Sequence, residues 1–312
     1  MISIEMTTYG HAEVLSFKEA PVPQIKSKDL LVRVKAVGIN PFDLKLLAGN
    51  FQSDIKQQMP VIIGGDFSGE VIEIGERVGL FKRGMKVYGS GIAFTGGSGS
   101  MAEYLRVNEE KVAMMPENID YATAAAIVTP ACAAQQAISR NLGVKPGQKI
   151  LIHGAGGAVG ELAAQLCLNI GAEVAVTVGS KDILYMKELG ADLIINYQVH
   201  PFENLIHDFD GVLDTQGGEV LEKSYQVLKK RGKLVSLVQQ PDQKMLEKYH
   251  LNGMFQSTEI TTKMLNIVSF LIEERILRPR TPVIIPFRQA IEAIKDKFEN
   301  NQTKKIVIRM EE

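Results

Sequence analysis

The sequence predicts an α/β chain of two domains: a β-rich first part and a doubly wound parallel sheet with helices on both faces. Three observations predict it. The first ~115 residues carry short β-branched or alternating runs broken by Gly, Pro, Asn and Asp, the pattern of a barrel or sandwich. From Tyr121 the texture turns to Ala-rich helix and then to strands alternating with helices, which implies right-handed crossovers and a parallel sheet. At 312 residues the chain also exceeds what one hydrophobic core usually fills.

In the first part the expected strands are Leu30–Val37, Glu70–Ile74, Lys86–Tyr88 and Ala102–Val107. The segment Ala122–Ala134 is the most apolar. It is interrupted by Pro130 and is too short for the ~18 residues that would span a bilayer. Ile150–His153 reads as a buried strand, and Ala158–Ile170 as a helix stopped by Gly171. Further strands are expected at Glu173–Val178, Leu193–Ile195, Val212–Asp214 and Leu234–Leu237, with helices near Asp182–Leu189 and Glu219–Lys229. After a helix at Arg288–Phe298, the strand Lys305–Arg309 can pair back with the N-terminal region. The expected boundaries are 1–118 for the first domain, completed by 282–312, and 119–281 for the second.

Composition narrows the function classes. The chain is 45% hydrophobic and 23% charged, near globular averages. Lys+Arg 35 against Asp+Glu 36 gives a net charge of -1, with no electrostatic reason for a nucleic-acid or membrane-surface partner. The N-terminus lacks the basic-then-apolar pattern of a secretory signal. Two cysteines, Cys132 and Cys167, lie far apart in Ala/Leu-rich surroundings, which excludes a disulfide framework and fits a reducing cytoplasm.

The chemistry concentrates in Lys149-Ile-Leu-Ile-His-Gly-Ala-Gly-Gly-Ala-Val-Gly160. A strand runs into a glycine cluster that opens a helix, so the backbone can approach a pyrophosphate and helix N–H groups can meet its charge. The spacing is Gly154-x-x-Gly157-x-x-Gly160 with Gly156 extra; a strict G-x-G-x-x-G is not met, because Val159 stands at the sixth position. A plain strand-to-helix turn is the alternative, and the flanking strand and helix favour the dinucleotide cradle of Gly154, Gly156, Gly157, Ala158, Val159 and Gly160. The second strand ends Thr177-Val-Gly-Ser-Lys181 with no acid at its tip. A carboxylate there would serve a ribose 2′-hydroxyl, whereas Ser180 and Lys181 can bind a 2′-phosphate. The expected cofactor is therefore NADPH, although Lys181 also reads as a solvated surface lysine. Asp182 suits a helix start. Asp214-Thr-Gln-Gly217-Gly218 closes a later strand where open α/β sheets hold ligands, and a tight turn explains it nearly as well.

In their order these pieces resemble the medium-chain dehydrogenase/reductase superfamily, in its zinc-independent quinone-oxidoreductase-like branch, over nearly the whole chain. The segments that carry the resemblance are Val37-Gly-Ile-Asn-Pro-Phe-Asp-Leu-Lys45, Pro60-Val-Ile-Ile-Gly-Gly-Asp-Phe-Ser-Gly-Glu-Val71, Gly75, Val78, Gly84, Gly99-Ser-Met-Ala-Glu-Tyr104, Lys145-Pro-Gly147, Gly190-Ala-Asp192 and Asn196-Tyr197. The resemblance implies a GroES-like β-rich catalytic domain, a Rossmann cofactor domain, and an active site in the cleft between them. It implies hydride transfer from NADPH to a small quinone, enone or enal, and a homodimer. It places Asn40 near the nicotinamide as an oxyanion donor, with Asp43 and Lys45 shaping the site or relaying a proton, and Thr129 and Tyr197 toward the cofactor. Each also has a structural reading: Asn-Pro starts turns, Asp43 suits a cap, and Lys45 suits the surface. Zinc-binding relatives carry Cys where this chain has Asn40 and His-Glu where it has Gly65-Asp66. The five histidines show no ligand spacing, so no metal is expected. Departures from the pattern are Phe51 for Tyr, Ala133 for Thr and Ile183 for Lys. Two other readings stay open: a catalytically silent NADPH-binding redox sensor, and a zinc-free NAD-linked alcohol dehydrogenase.

Overall fold

The computed structural model describes residues 1–51, 59–300 and 304–311. In chain order the elements begin with β1 (Ile2–Met6), β2 (Leu15–Glu19), β3 (Asp29–Gly38), α1 (Pro41–Leu47), β4 (Val61–Ile62), β5 (Asp66–Ile74), β6 (Lys86–Ser90), β7 (Tyr104–Asn108), β8 (Val112–Met114) and α2 (Tyr121–Gln135). There follow β9 (Lys149–His153), α3 (Ala158–Ile170), β10 (Glu173–Val178), α4 (Ile183–Leu189), β11 (Leu193–Asn196), β12 (Phe209–Asp214), α5 (Gly218–Ser224), β13 (Leu228–Ser236), α6 (Gln243–Tyr249) and β14 (Asn252–Phe255). The chain ends with α7 (Thr262–Glu273), β15 (Val283–Pro286), α8 (Ala290–Asn300) and β16 (Ile306–Arg309).

The first compact unit comprises 1–129, 260–273 and 280–312, so the chain re-enters it at Ile260, ahead of the boundary expected at 281. It holds a seven-stranded sheet in the order β15-β16-β3-β5-β6-β8, with β7 on β3, and a smaller sheet β2-β1-β4. β3 is the spine: its Leu30, Val32, Val34 and Val37 are buried at 2% exposure or less, beside Phe67, Val71 and Leu105. The C-terminal strand β16 joins antiparallel to β3, with Val307 opposite Gly38.

The second unit comprises 130–259 and 274–279. Its six strands run β11-β10-β9-β12-β13-β14, all parallel. The order turns back at β9, which puts the ligand-binding end of an open α/β sheet at the C-terminal ends of β9, β10 and β12. Central strands are buried on both faces, so Ile150, Leu151, Ile152, Val212 and Leu213 run apolar without alternation. β11 is an edge strand, and Leu193 is correspondingly exposed.

Two elements depart from their expected extents. α5 stops at Ser224, and β13 already starts at Leu228 where helix was expected to Lys229. Arg231 adopts a left-handed φ of 66° and the pairing with β12 shifts register between Phe209 and Gly211, an irregularity that hydrophobic periodicity does not announce. α2 runs through Pro130, which removes one N–H from the helix ladder without ending it.

Candidate functional site

In the second unit, β9 ends at a turn closed by the Gly157 N–H donating to the Gly154 carbonyl at 3.0 Å. α3 opens there, with Gly157 as its N-cap, and the bond from Glu161 N–H to Gly157 O starts the helical ladder. The N–H groups of Ala158, Val159 and Gly160 precede that ladder and are free to bind an anion. A Cβ on Gly160 would stand 2.5 Å from Gly154 O and 2.6 Å from Ala155 Cα, so glycine alone permits this close turn. Beneath it His153 is fully buried, its ring nitrogens bonded to Thr177 Oγ1 and Ser224 Oγ at 3.0 Å each.

The tip of β10 lies beside this turn. Ser180 Oγ donates to Gln198 Oε1 at 2.8 Å and accepts from Asn196 Nδ2 at 2.9 Å, so its rotamer is fixed by Asn196, named in the sequence only as part of a family segment, and by Gln198, which the sequence did not single out. Lys181 is exposed and makes no ion pair among the described residues. Tyr197 is 59% exposed. A cavity of about 430 Å³ is lined by Gly154, Thr177, Tyr197, Gln198, Gln216 and Lys223 among others. Its two carboxylates, Glu203 and Glu219, are both paired with Lys223, at 2.9 and 2.7 Å. Gly217 is buried on the next loop, its N–H donating to the Asp214 carboxylate at 2.9 and 3.2 Å. The cradle, the strand tip and Gly217 therefore surround one end of one sheet, as a dinucleotide needs.

The first unit contains a separate polar cluster. Asn40 caps α1 in an extended conformation, Pro41 takes the first helical position, and the Asn40 N–H donates to Asp43 Oδ2 at 2.7 Å. The Asn40 side chain is 6% exposed and held at both ends: Nδ2 donates to Asp66 Oδ2 at 2.8 Å, and Oδ1 accepts from Lys305 Nζ at 2.5 Å. Asp66, 1% exposed, also accepts from Thr129 N–H at 2.9 Å and Thr129 Oγ1 at 2.6 Å. Lys305 Nζ stands 3.8 Å from Asp66 Oδ2. Burial raises the Asp66 carboxyl and lowers the Lys305 ammonium from their usual values, opposed by their mutual attraction. Burial also pushes Asp43 up to about 7, with the neighbouring Asp66 charge adding to the rise. Of the residues singled out in the sequence, Asn40, Asp43 and Thr129 come together here. Lys45 does not: it is exposed on the last turn of α1, a favourable place for a cation. Phe51 stacks on Phe42 with centroids 5.1 Å apart, and Phe94 lies 6.0 Å from Phe42.

The alcohol dehydrogenase GroES-like domain model matches residues 26–117, and the zinc-binding dehydrogenase model matches 189–308. The 2-methylene-furan-3-one reductase of Solanum lycopersicum is 35% identical over 238 residues, covering 74% of this chain and 60% of that protein. The chloroplastic NADPH-dependent alkenal/one oxidoreductase of Arabidopsis thaliana is 34% identical, covering 73% and 60%. The solved quinone oxidoreductase of Coxiella burnetii superposes with a TM-score of 0.88 at 28% identity, covering 100% of this chain and 99% of that one. The chain belongs to the quinone-oxidoreductase-like branch of the medium-chain dehydrogenase/reductase superfamily. It spans about 60% of the length of the two curated relatives.

Within this medium-chain dehydrogenase/reductase, the described residues hold no group of three His, Cys, Asp or Glu that could bind a metal ion. No described helix is long and apolar enough to cross a membrane. The sequence reading missed Lys305 and, as a working group, Asp66. Their signals were present: an aspartate inside the apolar run Pro60–Val71, and a lysine directly ahead of a buried strand. In the second unit, burial drives the His153 imidazole down to about 3. Below pH ~6.5 the unfolded chain binds a proton there that the folded one refuses, so stability falls as pH drops toward 3. The loss approaches ~4 kcal/mol at the acid end. His153→Gln is expected to flatten this limb in thermal midpoints measured from pH 7 to pH 4; an unchanged slope would reject the assignment.

Proposed function

We propose that this protein is an oxidoreductase that uses NADPH, without zinc, to reduce a quinone or an α,β-unsaturated carbonyl. The observation that carries the reading is the opening of α3 beside the tip of β10: free helix N–H groups meet a diphosphate, exposed Lys181 stands ready for a 2′-phosphate, and the Asp182 carboxylate is buried against Gly156, where a Cβ would lie 2.4 Å from its Oδ2. The likeness to a relative named as an NADPH-dependent alkenal/one oxidoreductase supports the same cofactor and substrate class. NADPH, when bound, supplies the hydride. The residues of this chain supply orientation and charge stabilisation.

One Nδ2 proton of Asn40 is taken by Asp66. The other has no acceptor among the described residues, and it donates to the oxygen that gains negative charge as hydride reaches the substrate. Phe42, two residues beyond Asn40 in the chain, and Phe94, with its ring centroid 6.0 Å from that of Phe42, give a flat conjugated substrate an apolar face. Solvent supplies the proton.

Calorimetry with NADPH and NADH, and a stopped-flow panel of quinones and alkenals, test the reading together. Lys181→Ala is expected to weaken NADPH about tenfold, or ~1.4 kcal/mol, and to leave NADH unchanged. Absence of heat with either nucleotide ends the proposal. Tight NADPH binding with no turnover of any panel member leaves the chain a binding protein.

A further inference from the structure

We infer that Lys305 and Asp66 are positioning residues that lock and polarise the Asn40 amide. The inference rests on the reading of Asn40 as a donor to the reacting oxygen. An asparagine amide can usually flip, because its oxygen and nitrogen are nearly the same size. Here each end faces an ionic partner of opposite sign, an ammonium at Oδ1 and a carboxylate at Nδ2. Flipping would set oxygen against carboxylate and nitrogen against ammonium in a buried site, so a single orientation is retained. The second Nδ2 proton then points in one fixed direction.

The partners are themselves fixed by the fold. Asp66 is the first residue of β5 and pairs with Gly38 at the end of β3, two residues before Asn40. Thr129 on α2 holds both of its oxygens. Lys305 is delivered by the pairing of β16 with β3, and its stem packs so closely on Gly38 that a Cβ there would lie 3.3 Å from Lys305 Cε. A cation bonded to an amide oxygen withdraws electron density from the nitrogen and makes its remaining N–H a stronger donor. The ammonium thereby acts on the reacting oxygen through the amide, without touching it.

The experiment compares Lys305→Met, Lys305→Arg, the charge-neutral pair Lys305→Met/Asp66→Asn, Asn40→Ala, and Asn40→Ala/Lys305→Met. Folding is checked by circular dichroism, NADPH affinity by calorimetry, and kcat and KM with the best panel substrate. Lys305→Met is expected to lower kcat 10- to 100-fold with KM and NADPH affinity within about threefold, and Lys305→Arg to restore most of it. Lys305→Met should add little in the Asn40→Ala background, since both act through one group. If Lys305→Met does not fold, the charge-neutral pair replaces it and carries the same expectation.

A readout independent of turnover is the Asn40 side-chain NH2 signal in asparagine-labelled protein, assigned by its loss in Asn40→Ala. It should shift in Lys305→Met and in the charge-neutral pair, and return toward its original position in Lys305→Arg. Full kcat in Asn40→Ala would reject the donor role of Asn40 while the amide signal still tests the lock. Reduced kcat in Asn40→Ala, with either an unmoved amide signal or a Lys305→Met effect that multiplies on top, would overturn the present inference alone.

Discussion

Asp66→Ala is expected to destabilise the first unit by about 3–5 kcal/mol, the usual cost of removing one member of a buried ion pair. The loss has identifiable parts. Thr129 N–H, Thr129 Oγ1 and Asn40 Nδ2 all lose their acceptor at once. The Lys305 ammonium, with a side chain only 10% exposed, loses its nearest counter-charge and is left with the Asn40 oxygen and the more distant charge of Asp43. Each stranded buried donor costs ~1–3 kcal/mol, and partial entry of water into the vacated space offsets some of that. Asp66→Asn keeps an acceptor oxygen and should cost roughly half as much. A shift of about 10 °C in thermal midpoint is therefore expected for the alanine variant, at ~2–4 °C per kcal/mol for a unit of this size. Differential scanning calorimetry measures it. A midpoint within about 2 °C of wild type would mean that the cluster is not held by this carboxylate.

That cluster marks where reading from sequence stops. Asn40, Pro41 and Asp43 are legible because a helix cap is local: donor, acceptor and fixed φ lie within four residues. The glycine cradle is legible for the same reason, since strand, turn and helix follow one another without a gap and Gly171 ends α3 with a left-handed φ of 86°. Asp66 and Lys305 reach Asn40 across 26 and 265 residues, and only the registers of β3 with β5 and of β3 with β16 bring them together. Nothing in a periodicity encodes a register between distant strands. The same holds at the tip of β10, where Ser180 was legible but Asn196 and Gln198, which orient it, arrive from beyond the next helix. Thr129 illustrates a subtler limit. Its hydroxyl is committed to Asp66, so a residue expected near the cofactor has a bonding role that its position in the sequence does not disclose.

The second large effect is expected at Gly160. Valine there would have to place Cβ 2.5 Å from the Gly154 carbonyl oxygen, 2.6 Å from Ala155 Cα and 3.0 Å from Ala155 N. All three are backbone atoms, so no rotamer relieves the clash. The turn can open only by giving up the Gly157 N–H bond to Gly154 O, and that bond aims the N–H groups of Ala158 and Val159. NADPH affinity should therefore fall more than ~100-fold, about 2.7 kcal/mol, together with a lowered thermal midpoint. Gly171→Ala separates the two consequences. Its Cβ would meet nothing nearer than Pro146 Cβ at 3.7 Å, and only the left-handed φ is strained. It should cost ~1 kcal/mol of stability and leave NADPH binding within about twofold. Calorimetric titration of both variants distinguishes loss of the cradle from loss of the domain. Near-normal NADPH binding by a folded Gly160→Val protein would show that the diphosphate does not rest on this turn.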